Sequence, residues 1–200
     1  MSRRSLAFLL APLVIGCRQA DRQSVQPPTP DSASVALARA VADSLGGELT
    51  ELLNQAMDSG GPALAIHFCA DSAQARTLRH WKNGLYIRRV SERVRNVDDT
   101  PDAIERGLLQ RLADLNHDGR LPNELVEVIR AADGTYELQY MRPILVQRRC
   151  LACHGNPASL YPEVRSELAR RYPEDRATGY RVGDLRGAVS VRVPLTTTRQ

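Results

Sequence analysis

Lysine is almost absent from this 200-residue chain, with Lys82 standing alone among 27 basic residues that are otherwise arginine. The basic residues barely outnumber the 23 acidic ones: the formal charge is +4, and 25 against 23 remain if Arg3 and Arg4 leave with an amino-terminal leader. So small an excess supplies no basic face for nucleic acid. No internal repeat runs through the chain, which sets aside a solenoid. The apolar run at residues 6–15 is too short for the roughly 20 residues of a permanent membrane span. Cysteine is scarce as well, at four residues. The remaining composition, 42% hydrophobic and 25% charged, is that of one ordinary globular domain with a tether.

Two of those four cysteines carry the strongest chemical signal. Cys150-Leu151-Ala152-Cys153-His154 spells C-x-x-C-H, the attachment signature of a c-type haem. Two thiols add across the two vinyl groups of the porphyrin, whose spacing matches about one helical turn. The adjacent histidine then presents its imidazole to the iron. A zinc site would need two more ligands at short spacing, and Cys69, His67, His80 and His117 all lie far off in sequence. A thioredoxin-like redox pair would sit beside a βαβ pattern, which is missing here. One covalent haem c is therefore the expected cofactor, with Cys150 and Cys153 as thioether partners and His154 as proximal iron ligand.

The amino terminus agrees on compartment. A basic start, the apolar run and Gly16-Cys17 read as a signal peptide over residues 1–16. Val14-Ile15-Gly16-Cys17 resembles the lipobox of bacterial lipoproteins, which implies that Cys17 is acylated and becomes the mature amino terminus. Dual acylation anchors a protein stably to a membrane. Ser2-Arg3-Arg4 is a fragment of a twin-arginine signal. Haem c, however, is attached outside the cytoplasm to a chain exported unfolded, so general secretion is expected. Residues 17–31 form the acylated cysteine and a Pro-rich linker, and residues 32–200 form the domain. The expected location is the periplasmic side of a bacterial membrane.

Periodicity predicts the elements. Leu37, Val41, Leu45, Leu49, Leu52, Leu53 and Met57 recur at helical spacing, with a bend expected at Gly46-Gly47 and a break at Gly60-Gly61-Pro62. A second helix is expected over 63–78, a strand over 85–91, and a helix from Pro101 with Thr100 as N-cap. Strands at 124–131 and 135–142 flank the hairpin signal Asp133-Gly134. A short helix carrying the haem motif, a helix at 161–172 and a strand at 187–195 complete an α+β chain. Asp114-Leu115-Asn116-His117-Asp118-Gly119 imitates the start of a calcium loop, but Leu125 stands where the bidentate glutamate belongs, so a polar turn is expected.

The second axial position on the iron is open to several residues. Met57 and Met141 sit in apolar stripes and are expected in the core. His67 and Cys69 are two residues apart on a helix, about 200° around its axis, so one of them alone can face a haem. The residues themselves do not choose between the two. Arg88, Arg89, Arg93 and Arg95 could pair with haem propionates, whose carboxylates suit guanidinium. An exposed basic strand edge explains them equally well.

Several segments together resemble a known family. They are Arg89-Val90-Ser91 with Arg95-Asn96 through Asp99-Thr100-Pro101-Asp102 to Glu105, Tyr140-Met141-Arg142-Pro143-Ile144 ahead of the haem motif, and Gly179-Tyr180 with Gly183-Asp184 and Gly187-Ala188. As a set they are similar to the PAS-like single-haem c-type domains of bacterial periplasmic and sensory proteins. The resemblance implies a PAS-like fold: a small antiparallel sheet flanked by helices and preceded by a long N-terminal helix. It also implies Cys69, in Ala65-Ile66-His67-Phe68-Cys69, as distal iron ligand, with His67 the alternative; of the four arginines, Arg89 and Arg95 are the ones expected at the propionates. Asp99 and Ile104 depart from the family pattern, which usually has Asn and often Trp there.

These readings imply a haem-based sensor of redox state or diatomic gas. On reduction the iron–sulfur bond weakens, and departure of Cys69 would open a site for CO or NO. The alternative is a membrane-tethered one-electron carrier. An enzyme ranks last, because two filled axial positions leave peroxide no place to bind. Expected partners are the membrane, the haem maturation machinery and a separate redox or signalling protein.

Overall fold

The computed structural model describes residues 27–81 and 84–195. The expected leader and Cys17 lie outside the described residues. No helix among the described residues is long and apolar enough to cross a membrane.

Helix α1 runs from Ser32 to Arg79 and starts where Asp31 accepts from the Ser34 amide at 2.8 Å. It is a helical hairpin. A straight helix would hold residues 48 and 76 about 42 Å apart, yet Arg76 bonds Glu48 at 2.7 Å. The reversal falls at Gly60 and Gly61, the latter at φ 75, with Pro62 opening the returning arm. Gly61 is the position that needs glycine, since its backbone is left-handed. Arg79 and His80 join Arg76 on Glu48 at 2.8 and 3.1 Å and fasten the two arms. The bend expected at Gly46-Gly47 is not there; both residues are helical, and the non-helical angles belong to Gly60 and Gly61.

Strands β1 (Tyr86–Val90), β2 (Leu125–Arg130), β3 (Tyr136–Leu145) and β4 (Leu185–Leu195) form one antiparallel sheet in the order β1-β4-β3-β2. Helix α2 (Ala103–His117) covers one face and α1 the other. Ala38, Ala42 and Leu45 of α1 pack on Ile87, Leu138, Tyr140, Val189, Val191 and Val193. Leu108, Leu109 and Leu112 of α2 pack on Val90, Met141 and Ala188. The strand period of two separates the sets. It also sends the neighbours Arg88 and Arg89 to opposite faces.

Thr100 is not the cap of α2. Asp102 accepts from the Glu105 amide at 2.9 Å while Glu105 accepts from the Asp102 amide at 3.0 Å, a reciprocal capping box two residues further on. After β3 come the short α3 (Leu151–His154) and then α4 (Pro162–Arg171). Val164 and Leu168 of α4 bury against Ile66 on the returning arm of α1. The α+β, PAS-like architecture is thus present, with the long N-terminal helix folded in two over the sheet.

Candidate functional site

Between α1 and the sheet lies a cavity of about 650 Å³, within the range of sites for small molecules and cofactors. Both arms of α1 supply its roof: Gly46, Gly47, Leu49, Leu53 and Met57 from one, Ile66 and Cys69 from the other. Its floor comes from Arg89, Val90 and Val189 of the sheet, and Cys150, Cys153 and His154 close one end. Three thiols and an imidazole thus face one enclosure.

The motif residues are placed by a bend in the chain. A turn at Arg148–Cys150 runs directly into α3, so one helical turn separates the two thiols. Gly155 ends it where a Cβ would stand 2.5 Å from the Leu151 carbonyl oxygen. His154 lies 2.6 Å from the Ala177 carbonyl through Nδ1. A carbonyl can only accept, so Nδ1 carries the proton and Nε2 keeps its lone pair. Burial, then Arg95 and Arg186, push His154 down to about 3, so the ring is neutral in ordinary conditions. Tyr180 stands edge-on to the ring at 6.1 Å, and Arg93 lies over Tyr180 at 4.0 Å.

Burial raises Cys69. It also pushes Cys153 up to about 11, opposed by Arg95 and reinforced by Cys69 and Cys150, which places these thiols close enough to feel one another. His67 does not reach the cavity. Its ring is half exposed, meets Arg171, and stands 4.0 Å from Glu167 on α4. The 200° between His67 and Cys69 is resolved with sulfur inward and imidazole outward. Met57 is in the cavity wall, while Met141 is buried on the α2 face. His80 is tied to Glu48, and His117 ends α2.

The four arginines divide. Arg88 turns to α2, 3.7 Å from Glu105, and its buried Nε has no partner, as is also true of Arg89. Arg93 reaches the Thr178 carbonyl. Arg95 lines the cavity but is engaged, donating to Asp175 at 3.1 Å and to the Cys153 carbonyl at 2.6 Å. Arg89 lines the cavity, lies 3.5 Å from Asp99, and has a buried Nε without a partner. Such an orphan is costly unless something fills the role.

Several wall residues were not singled out by the sequence. Tyr172, Arg186 and the ion pair of Arg142 with Asp43 belong to the cavity or its mouth. Arg149 bonds Asn54 across the same opening. The glycines of α1 gave the clearest missed signal. Each costs a helix about 1 kcal/mol relative to alanine. Nothing lies within 4 Å of where a Cβ would sit on Gly46 or Gly47, and both line the cavity. Bare backbone there leaves room for a flat ligand.

The comparisons with known proteins agree with this architecture. A family model described as Tll0287-like matches residues 14–194. The crystal structure of the cyanobacterial heme-protein Tll0287 superposes with a TM-score of 0.62 at 26% identity, covering 85% of this chain and 100% of that one. No curated protein matches.

Proposed function

This chain belongs to the Tll0287-like family, and on that premise we propose that it is a haem protein of the c type, exported and lipid-anchored through Cys17, that senses redox state or a diatomic gas. The observation that carries the reading is the convergence of Cys150, Cys153, His154 and Cys69 on one cavity. The donors fit the group. Haem brings four nitrogens of its own and asks the protein for two axial ligands. Among the described residues no cluster of three His, Cys, Asp or Glu is gathered to hold a bare ion. The orphaned Nε of Arg89 suits a propionate, and the open flank at Gly46-Gly47 suits a planar ring.

The iron supplies one-electron chemistry between ferric and ferrous states. Cys150 and Cys153 would fix the ring covalently, each thiol adding across one vinyl group. His154 is held in the ligating tautomer by Ala177. Cys69, whose ionisation burial opposes until iron replaces the proton, would bind as a thiolate, donate electron density and favour ferric iron, so the reduction potential would be low. The Arg142–Asp43 and Arg149–Asn54 contacts clip the first arm of α1 over the opening. The protein performs no turnover in this reading; a separate redox or signalling protein reads its state, and the haem maturation machinery loads it on the periplasmic side.

Absorption spectra of purified protein, oxidised and reduced, with and without CO, test the proposal. Covalent pigment, a thiolate-type ferric spectrum, and a change in ligation on reduction or with CO support it. Pigment whose spectrum is indifferent to CO and whose ligation is the same in both states favours the tethered electron carrier. A colourless product rejects both.

A further inference from the structure

A groove of about 510 Å³ lies where the first turns of α1 meet the start of β1 and the end of β4, and it shares no lining residue with the haem-motif cavity. Leu37, Val41, Leu85, Val193 and Pro194 make it apolar, while Glu48, Arg79 and His80 supply its polar side. Leu37 is 47% exposed although it lies in this lining. The end of α1 adds Leu78 and, just beyond the helix, Trp81, which are 45% and 42% exposed. The Trp81 amide donates to the Leu78 carbonyl at 3.1 Å, so one turn joins the two. Trp81 is also held in place: its Nε1 donates to the Ile87 carbonyl at 2.5 Å, and its ring meets Tyr86 at 4.6 Å between centroids. A single exposed apolar residue needs no cause, but three around one apolar groove form a patch of the kind that marks an interaction surface.

We propose that this patch rests on an anionic membrane surface and so fixes the orientation of the domain. The inference rests on the lipid anchor at Cys17 put forward above. Residues 18–31 separate Cys17 from Ser32, which keeps the start of α1 within about 50 Å of an acylated Cys17. Leu37 lies only about 8 Å further along the helix. The tether therefore enters the domain beside the groove. A tryptophan with one side on protein and the other exposed suits the headgroup level of a bilayer, and leucines beside it reach the apolar boundary beneath. The charge suits the same surface. Arg76, Arg79 and His80 all meet the one carboxylate of Glu48, so two guanidinium groups face a single anion. The Arg79 side chain is 63% exposed and open to lipid phosphates. A flexible tether alone leaves the domain free to turn, whereas a docked face sets which side meets a partner.

The test is flotation with vesicles of phosphatidylethanolamine and phosphatidylglycerol. The protein is the full mature chain carrying Cys17→Ala, exported behind an ordinary cleavable signal peptide so that no acyl chain assists. It is expected to rise with the vesicles. Adding Leu37→Glu and Leu78→Glu together is expected to weaken that partition about tenfold while the circular dichroism stays the same. Equal partition with and without the two substitutions, no partition at all, or pairing with a second copy through this face in place of vesicle binding overturns the assignment. Binding to phosphatidylcholine vesicles that is as strong overturns the part given to the arginines. If the doubly substituted face fails to fold, the native acylated protein in bilayer discs of the same anionic lipids decides. Trp81 is the single tryptophan of the chain, so fluorotryptophan gives one fluorine resonance. Broadening of that resonance by headgroup-nitroxide lipid supports the docked face, and a resonance indifferent to nitroxide overturns it. The mass of the native amino-terminal peptide reports the anchor separately. A peptide without an acyl group rejects the lipid anchor, whereas an acylated protein whose fluorine resonance ignores the nitroxide rejects the docked face alone.

Discussion

On the α2 face of the sheet, Gln139 donates to Ser190 at 2.9 Å, Ser190 donates to Glu105 at 2.7 Å, and Arg192 donates to Gln139 at 2.8 Å before pairing with Asp102. On the α1 face, the same strands floor a large cavity that is lined by three thiols from α1 and the haem-motif turn, by Arg89 with its orphaned nitrogen, and by two α1 glycines with open space beside them. The α2 face spends most of its polar groups on one another, the buried Nε of Arg88 being the exception among the described residues, and the result is structure. The α1 face leaves its polar groups aimed at an enclosure, and the result is a site. Arg88 and Arg89 show the difference in one dipeptide. Arg88 is drawn to Tyr86, Thr100 and Glu105, whereas Arg89 has Asp99 and the cavity.

The largest effect that separates the faces is all-or-none. Replacing Cys150 and Cys153 together by alanine is expected to abolish covalent pigment on a haem-stained denaturing gel while leaving the far-ultraviolet circular dichroism of the fold in place. Glu105→Ala is expected to do the reverse. It removes a buried acceptor of two hydrogen bonds, so denaturant unfolding should register a loss of about 3–5 kcal/mol. Whatever fraction folds should keep the wild-type absorption spectrum. If Glu105→Ala instead altered haem ligation at unchanged stability, the division between the faces would fail.

A subtler contrast lies within α1. Cys69→Ser should retain covalent pigment but lose thiolate character in the ferric spectrum, whereas His67→Ala, on the side of Glu167 and Arg171 and outside the cavity wall, should leave that spectrum unchanged. The smallest effect concerns the glycines. Gly46→Ala and Gly47→Ala should each raise the stability of haem-free protein by about 1 kcal/mol, because helix propensity is gained and no atom is displaced. A bulky Gly46→Phe should depress haem loading. Equal stability and equal loading in all three would remove the glycines from the site.

The elements differ in how legible they were. The haem motif is local, because porphyrin geometry dictates spacing within five residues and no distant contact is needed to read it. The strands and α2 were visible through their periods, and the hairpin through Asp133-Gly134. The cap of α2 was misplaced although Asp102 and Glu105 carried the reciprocal signature in plain view. Gly46-Gly47 suggested a bend because propensity is a local quantity. Packing of Ala42 and Leu45 on the sheet holds the helix straight through them. Helical spacing showed that His67 and Cys69 could not both face inward, but the choice depends on α4, a hundred residues later. Arg186, Tyr172 and Asp99 reach the cavity from three separate elements, and no pattern along the chain joins them.

Peptide mapping of the exported, matured protein tests the central claim most directly. The account predicts that the proteolytic fragment spanning Cys150 to His154 carries the mass of one haem through both sulfurs and that Cys69 is recovered unmodified. A fragment with two free thiols, or with Cys150 and Cys153 joined to each other, would contradict it.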